Sequence, residues 1–501
     1  MSERSAVEAA KGKLSISRRS VWILALACLV SLGASIVASG VTYRLGFPLD
    51  DAWIHQTYAR NLAQRFEWSF VPGQPSGGST SPLWTGLLAI GYLLHLPPIA
   101  WVYLLGWGAL FCLSVLGEAA YRWYFPGRSM KLPWVGLILA FEWHLAWAAG
   151  SGMETLVVGL LFTFVLLLMP TGRARWWVLG LLAGVSVWLR PDGLTLLGPL
   201  GMSAVMIPAT VREKGKKLIS FGFGFLAAFL PYVAFTRWLT GSWWPNTFYA
   251  KQAEYAALRT QPILARIWSE FRVPLVGVGI LLLAGFIWFI WTRAKAKDWA
   301  VIAGGLWWLG YIGLYAWRLP VTYQYGRYVM PALPLFFCWG AMGSLELMKA
   351  MRRSSKTRLI ARAWGLTLIV VTGLFWGNGV AAYARDVAII ETEMVNPARW
   401  IAANTQPGDL IAAHDIGALG YFGDRPVIDL AGLISPEVIP FIRDEDKIGP
   451  FLDERQVDYL LVTFDWYPLL AQQAEQVYES EGGFLPDRPG ENTRIYRWGR
   501  P

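Results

Sequence analysis

Long apolar runs recur along the chain, and they constrain its fold more than any other feature. The hydrocarbon core of a bilayer is about 30 Å thick, so an α-helix needs about 20 mostly apolar residues to cross it. The clearest runs cover residues 21–41, 153–169, 218–234, 273–291 and 366–382. Only 16% of the residues are charged, and the mean hydropathy is +0.39. The sequence therefore predicts a mainly α, polytopic membrane helical bundle.

Positive charges fall mostly in short links between the apolar runs, although the net charge of +10 could also indicate nucleic-acid binding. Cytoplasmic loops of membrane proteins carry an excess of Lys and Arg, which orients the helices. The links contain Lys11, Lys13, Arg18, Arg19, Arg122, Arg128, Lys131, Arg173, Arg175, Arg212, Lys214, Lys216, Lys217, Arg293, Lys295, Lys297, Arg352, Arg353, Lys356, Arg358 and Arg362. This distribution argues against a nucleic-acid surface.

With these links in the cytoplasm, the chain makes about eleven crossings of a plasma (inner) membrane, and the N-terminus is cytoplasmic. The segment 46–81 becomes a large first outer loop. Residues 82–121 must then cross an odd number of times but are too short for three crossings. We expect one span over residues 100–120, preceded by an apolar helix at 83–96 that lies in the outer leaflet. The pair Pro97-Pro98 separates the two.

Composition changes abruptly near residue 386. Residues 1–385 form the predicted membrane domain, and residues 386–501 are more charged and rich in Pro and Gly. Short apolar strands at 410–413, 427–430 and 459–463 alternate with amphipathic stretches at 397–403 and 467–478. This alternation predicts a small α/β domain outside the cytoplasm. Cys28, Cys112 and Cys338 all lie in apolar runs, which leaves no disulfide framework.

Two adjacent carboxylates, Asp50 and Asp51, stand where the chain leaves the first predicted span. Either could simply cap the helix that follows. Alternatively, repulsion between them raises the pKa of one, and such a pair can serve as a general base for a sugar hydroxyl. A divalent cation near the pair is a further alternative, because hard cations prefer carboxylate ligands.

Other polar residues are predicted on the same side of the membrane as this acidic pair. Single cations there are often explained by snorkelling, but several polar groups on one face indicate a substrate site. They are His55, Glu154, Arg190, Asn246, Tyr249, Lys251, Tyr325 and Arg327, with His414 and Asp415 in the tail. Glu142 and His144 lie within a predicted span, where they serve either the site or helix packing.

The first loop, with Asp50-Asp51-Ala-Trp-Ile and Gly77-Gly-Ser-Thr-Ser-Pro-Leu-Trp, resembles that of the glycosyltransferase C superfamily. Within it, the chain is most similar to bacterial enzymes resembling mycobacterial terminal arabinofuranosyltransferases. Further matches are Ser151-Gly-Met-Glu-Thr, Arg190-Pro-Asp-Gly, Pro245-Asn-Thr-Phe-Tyr-Ala-Lys, Arg327-Tyr and Asp415-Ile-Gly-Ala-Leu-Gly. The resemblance covers nearly the whole chain.

The resemblance implies inverting transfer of a sugar from a polyprenyl-phosphate donor, at the outer face of the membrane and beneath a soluble domain. Asp50 would be the base, and Asp51 would orient the site or bind donor. Lys251 and Arg327 would hold the lipid phosphate with support from Tyr249 and Asn246, and Glu154 would contact sugar. We place Arg190 and His55 with the phosphate, and Tyr325, His414 and Asp415 with the sugar or acceptor. The acceptor would be a hydroxyl of a cell-envelope glycan, lipid or protein, and no cofactor is required.

Two other classes of protein remain open from the sequence. A transporter or flippase for lipid-linked sugars, with an extracytoplasmic binding domain, would carry inverted repeats and polar residues near the bilayer midplane. A scaffold would use the tail to bind a partner.

Overall fold

The computed structural model describes residues 16–127, 130–351, 354–485 and 491–499. The basic residues Lys11, Lys13, Arg128, Arg352 and Arg353 lie outside these ranges. The helices are α1 (Arg18–Thr42), α2 (Asp51–Arg65), α3 (Pro82–Leu93), α4 (Pro98–Tyr124), α5 (Trp134–Phe141), α6 (Trp143–Gly150), α7 (Thr155–Leu168), α8 (Trp176–Leu189), α9 (Leu197–Met206), α10 (Val211–Thr240), α11 (Asn246–Glu254), α12 (Ile263–Phe271), α13 (Gly279–Lys295), α14 (Trp299–Arg318), α15 (Leu333–Ala350), α16 (Ser355–Ile390), α17 (Asn396–Asn404), α18 (Glu445–Glu454) and α19 (Pro468–Gln472).

A helical membrane bundle makes up most of the described chain, as predicted. Six helices there are long and apolar enough to cross a bilayer, and a seventh span results if the pair Ile263–Leu275 and Gly279–Lys295, bent by 96°, counts as one. Shorter apolar helices lie at Pro82–Leu93, Thr155–Thr171 and Trp176–Leu189. The figure of eleven crossings stays a prediction.

Helices α3 and α4 have the arrangement expected from the proline pair. The chain leaves α3 at Leu93 and enters α4 at Pro98, which occupies the first turn. Proline is tolerated there because the first amides of a helix have no partner within it. A short apolar helix therefore precedes a full-length span.

Three of the links predicted to be cytoplasmic lie together at one end of the bundle. The Arg122 guanidinium donates to Ser20 Oγ at 3.1 Å, and Arg293 donates to the Tyr124 carbonyl at 3.2 Å. Three sequence-distant basic links thus lie together, which is consistent with their placement on one side of the membrane.

The tail forms the predicted α/β unit around a five-stranded sheet. Its strands are β3 (Ile411–Ala413), β4 (Val427–Asp429), β5 (Tyr459–Thr463), β6 (Glu475–Glu479) and β7 (Thr493–Arg497), and a separate hairpin in the first loop pairs β1 (Ser69–Val71) with β2 (Gln74–Pro75). The order is β4-β3-β5-β7-β6. β3 is parallel to β4 and β5, and β7 is antiparallel to its neighbours. All of β3 is buried, as expected for a central strand covered on both faces.

Two details of the tail differ from expectation. The amphipathic stretch 467–478 is helical only over α19 and then becomes β6, because its second half pairs with β7. The predicted boundary at 385/386 falls inside a helical segment, in which α16 continues through a π-helical turn, Glu391–Val395, into α17. The tail therefore rests directly on the last helix of the bundle.

Candidate active site

The candidate site is a cavity of about 240 Å³ between the ends of several helices and the α11 segment. It is bounded by segments that the sequence places on the outer side of the membrane. Its lining consists of Asp51, Thr80, Met153, Glu154, Thr155, Arg190, Pro191, Asp192, Thr247, Phe248, Lys251, Gln252, Leu314, Tyr315, Arg318, Leu319, Arg327 and Tyr328. The lining combines charged and polar groups with apolar side chains such as Met153, Leu314 and Leu319, which suits an amphiphilic ligand.

Asp51 and Arg327 form the strongest ion pair of the cavity. The Asp51 Oδ2 and Arg327 Nη2 atoms lie 2.6 Å apart, and both side chains are largely buried. Burial raises the pKa of Asp51, but the charges of Arg327 and Lys251 outweigh it and hold the pKa at about 2. Asp51 is therefore an ionised carboxylate, and its two neighbouring cations give this part of the cavity a net positive charge.

Lys251 lies on the face of α11 that lines the cavity. Thr247, Phe248, Lys251 and Gln252 share one face of this helix, and all four line the cavity. The Lys251 ammonium lies 5.2 Å from the centre of the Tyr328 ring. Tyr249 belongs to the other face and is partly exposed, so the structure does not place it beside Lys251 as expected.

Arg190 is held by partners on α14 and in its own turn. Its Nε lies 3.0 Å from Asp192 Oδ2, and its Nη2 donates to Tyr315 Oη at 3.1 Å. Tyr315 in turn donates to Asp192 at 2.6 Å. The guanidinium is thus fixed at the cavity wall with its charge matched by a carboxylate.

Glu154 lines the cavity beside Arg190, whose Nε atom lies 3.8 Å from Glu154 Oε1. The other carboxylate oxygen, Oε2, is buried and has no hydrogen-bond partner among the described residues. An unpaired buried acceptor costs about 1–3 kcal/mol. A hydroxyl donor from a ligand would satisfy it, and the sugar contact expected for Glu154 stays a prediction.

His55 stands behind Glu154 and is fully buried. Its Nδ1 atom lies within hydrogen-bonding distance of Ser79 Oγ and Thr85 Oγ1, and its Nε2 lies 3.6 Å from Glu154 Oε2. Burial lowers the pKa of His55, although Glu154 and Asp51 oppose this shift. A neutral imidazole in this position supports Glu154. His55 is not part of the cavity lining, so the contact with the phosphate that the sequence predicts is not seen in this arrangement.

Asp51 lines the cavity, whereas the side chain of Asp50 faces the tail. Asp50 Oδ2 and Oδ1 accept from the amides of Gly417 and Ala418, each at 2.7 Å. Burial and the nearby Asp415 raise its pKa. Asp50 occupies the N-cap position of α2, and its backbone carbonyl accepts from the Trp53 amide at 2.9 Å. Its side chain makes no hydrogen bond to that helix, so it does not act as a side-chain cap. The geometry does not favour Asp50 as the residue that meets an acceptor.

His414 lies between the tail and α11, away from the cavity lining. Its Nε2 is 3.0 Å from Glu254 Oε1, and its Nδ1 is 2.7 Å from Tyr467 Oη. Asp415 is enclosed nearby, and burial raises its pKa. The expected contact of both residues with the sugar or acceptor is not seen in this arrangement.

Asn246 and Tyr325 also have structural partners. Asn246 donates to the carbonyl of Leu433 in the tail at 3.3 Å. Tyr325 donates to Asp386 at 3.0 Å, and its ring packs against Trp147. Asn246 therefore contacts the tail, and Tyr325 packs within the bundle against its last helix. The ligand contacts that the sequence predicts for both residues are not seen in this arrangement.

Glu142 and His144 form a structural break within an apolar segment. Glu142 accepts from the Leu145 amide at 3.1 Å and so caps α6, and its other oxygen lies 2.8 Å from His144 Nδ1. Both side chains are buried, and neither lines the cavity. Of the two roles left open by the sequence, the structure favours helix packing.

The partners of Asp50 and Asp51 do not suit a metal site. Asp50 faces two amides and Asp51 faces a guanidinium, all of which are hydrogen-bond donors. A cation would need lone pairs at these positions. Among the residues that the structure describes, no cluster of three or more His, Cys, Asp or Glu side chains has the spacing of a metal site.

Sequence reasoning missed several cavity residues. Tyr315 and Arg318 lie one turn apart on α14, while Tyr328 follows Arg327 directly. The available signals were helical spacing in an apolar span and the Arg-Tyr pair itself. Neither signal identifies which of the many aromatic residues in the bundle turn inward.

Together, the bundle, the α/β tail and the cavity between the bundle helices and α11 define a class of polytopic membrane proteins with an extramembrane domain. Two solved structures share this arrangement. ArnT from Cupriavidus metallidurans, bound to undecaprenyl phosphate, aligns with a TM-score of 0.60 at 14% identity, over 95% of this chain and 97% of that protein. The arabinofuranosyltransferase AftD from Mycobacteria aligns with a TM-score of 0.52 at 16% identity, over 97% of this chain and 42% of that protein.

These likenesses confirm the glycosyltransferase C fold that the sequence predicted. A family model described as a domain of unknown function (DUF8728) matches residues 384–497, which corresponds to the tail. No curated protein sequence matches the chain.

Proposed function

We propose that this protein transfers a sugar from a polyprenyl-phosphate donor to a hydroxyl group of a cell-envelope glycan, lipid or protein. One observation carries the proposal: Asp51, Arg327 and Lys251 line a single cavity whose lining also includes apolar side chains. A lipid-linked phosphate needs cations for its charge and an apolar surface for its chain. The shared fold with ArnT, which was solved with undecaprenyl phosphate, supports this class of donor.

In this proposal, Lys251 and Arg327 bind the donor phosphate. Arg327 is fixed by Asp51, and Lys251 makes no hydrogen bond or salt bridge to any side chain within the described ranges. The phosphate oxygen gains negative charge as its bond to the sugar carbon breaks. Cations already in place stabilise that charge, so the reaction requires no metal or other cofactor.

Asp51 is the general base in this proposal, in place of Asp50. The pKa of Asp51 is held at about 2 by its cations, which makes it a weak base before the donor binds. A phosphate that takes over Arg327 and Lys251 removes that stabilisation, so the pKa of Asp51 rises when the base is needed. Asp51 then takes the acceptor proton as the acceptor oxygen bonds to the sugar carbon and the polyprenyl phosphate leaves with inversion.

The proposal also includes the sidedness expected from loop charge. The N-terminus is cytoplasmic, and the cavity and the tail face outward from a plasma membrane. Donor and acceptor therefore meet at the outer face, where the α11 segment and the tail border the headgroup region.

Mass spectrometry of lipids that co-purify with the protein tests the proposed class of donor. We expect a polyprenyl phosphate, or its sugar conjugate, with the wild-type protein and much less with a Lys251→Met, Arg327→Met double variant. Equal recovery from both proteins would contradict the proposed phosphate site. Substrate-dependent flux in proteoliposomes without a glycosidic product would favour the transporter instead.

A further inference from the structure

We infer that the tail segment His414–Ala418 is a positioning element that sets the spacing between Asp51 and Lys251. It makes two sets of contacts, one with α2 and one with α11, which we call its α2 arm and its α11 arm. The inference rests on the proposed function. Asp51 begins α2 and Lys251 lies on α11, and these two helices are far apart in the sequence. The same five-residue segment is bonded to both helices.

The first arm joins the segment to α2. Gly417 and Ala418 donate their amides to the two carboxylate oxygens of Asp50, the residue directly before Asp51. A side chain at Gly417 would collide with the Asp50 backbone carbonyl and carboxylate. The backbone and side chain of Asp50 therefore pack directly against Gly417, at a distance that only glycine permits. This contact fixes the position at which the next residue, Asp51, enters the cavity.

The second arm joins the segment to α11. His414 contacts Glu254, the last residue of α11, and Arg443 of the tail lies 3.3 Å from the same carboxylate oxygen. Glu254 follows Lys251 by three residues, so the two share one side of the helix. Burial raises the pKa of Glu254, but His414 and Arg443 lower it further than burial raises it. The end of α11 that carries Lys251 is thus tied to the tail by a charged contact.

A rigid support holds both arms. The segment follows β3, an interior strand of the tail sheet between β4 and β5, and every residue of β3 is buried. His414 is further held by Tyr467 and packs edge-on against the Trp466 ring, with centroids 4.7 Å apart. Strand, segment and both contacts therefore move together, and a shift of the tail would change the distance between the base and the phosphate ligand.

The two arms predict different kinetic effects, which a general structural role would not produce. Loss of the α11 arm displaces Lys251 and weakens donor binding. Loss of the α2 arm displaces Asp51 and slows the chemical step, because a misplacement of about 1 Å costs on the order of 100-fold in rate. Uniform destabilisation of the tail would change both parameters together.

The test compares His414→Ala and Gly417→Ala in the full-length protein, with Gly408→Ala as the matched control because a side chain there meets open space. We expect His414→Ala to raise the KM for donor and the Kd for undecaprenyl phosphate about tenfold, as for loss of one charge-assisted hydrogen bond, with little change in kcat. Gly417→Ala should lower kcat about 100-fold with an unchanged Kd. Glu254→Gln, which keeps the side-chain volume, replaces His414→Ala if the latter does not fold.

The inference is overturned if His414→Ala and Gly417→Ala change kcat and KM in parallel, or if both match Gly408→Ala. Binding of undecaprenyl phosphate separates this result from failure of the proposed function. If the wild-type protein transfers no sugar but binds the lipid, the enzymatic proposal fails. The α11 arm is still tested by the Kd of the His414→Ala variant.

Discussion

The Asp51 carboxylate and the Arg327 guanidinium, which are far apart in the sequence, lie 2.6 Å apart in one cavity. Lys251 adds a second cation beside them. This relationship joins the first outer loop, the α11 segment and the chain just before α15.

Replacing Asp51 with Asn should abolish transfer while leaving donor binding intact. Removal of a general base typically costs about 10²–10⁴-fold in rate. The Kd for undecaprenyl phosphate should fall or stay constant, because Arg327 loses its competing carboxylate. Asp50→Asn, whose side chain can no longer accept from both tail amides, should lose less activity. A fully active Asp51→Asn protein would remove Asp51 as the base.

The pH profile of kcat/KM should respond to Arg327. In the free protein the pKa of Asp51 is about 2, so Asp51 contributes no acidic limb between about pH 4 and 7. Arg327→Gln removes the main charge that lowers this pKa, and the pKa must then rise under burial. We expect a new loss of kcat/KM at the acidic end in this variant. An acidic limb that is identical in both proteins would contradict the assignment.

Lys251→Met should weaken binding of the lipid phosphate and reduce its dependence on salt. A hydrogen bond to a charged group contributes about 1.5–3 kcal/mol, which corresponds to roughly 10- to 100-fold in Kd. Lys447→Met is a suitable control, since Lys447 is exposed in the tail and pairs with Asp444. Titration with undecaprenyl phosphate in detergent measures both. Equal affinities for the two variants would exclude Lys251 from the phosphate site.

Tyr315→Phe should loosen Arg190 without removing its charge. The Tyr315 hydroxyl donates to Asp192 and accepts from Arg190, so its loss leaves both charged groups short of a partner. We expect a stability loss of about 1–3 kcal/mol and a several-fold increase in the KM for donor. Thermal unfolding and steady-state kinetics measure the two effects. Unchanged values for both would show that this network does not support the site.

Glu142→Ala, which removes the acceptor of the Leu145 amide, should lower stability and leave catalysis unchanged. Glu142 caps α6 and contacts His144, and neither residue lines the cavity. Loss of a cap costs about 0.5–2 kcal/mol. The variant should unfold at a lower temperature but keep kcat and KM per folded molecule. A large decrease in kcat in the folded variant would show that Glu142 contributes to the active site.

Much of the architecture could be predicted from the sequence, because apolar length and loop charge are strong local signals. The break between α3 and α4 and the α/β tail follow from such signals. The same signals predict that Asp51, Lys251 and Arg327 lie on one side of the membrane, but the choice of these two cations came from the family resemblance. The same reasoning could not distinguish Asp50 from Asp51. Adjacent residues on a helix point in different directions, and only the position of the tail determines which one meets the cavity.

Tyr249 and His414 illustrate a similar limit. Tyr249 is one helical step away from the face of α11 that lines the cavity, and the register of that face depends on how α11 packs. His414 follows a strand end, as ligand-binding residues often do, but α11 covers it and supplies Glu254 as its partner. Contacts between domains decided both cases, and these are not encoded in local patterns.

The most direct test of the account is a transfer assay with the purified protein in liposomes and a panel of polyprenyl-phosphate-linked sugars. The account predicts that the wild-type protein releases polyprenyl phosphate from at least one donor and forms a glycosidic product, and that Asp51→Asn does neither while still binding undecaprenyl phosphate. Equal release by the two proteins, or movement of the intact donor across the bilayer without a product, would contradict it.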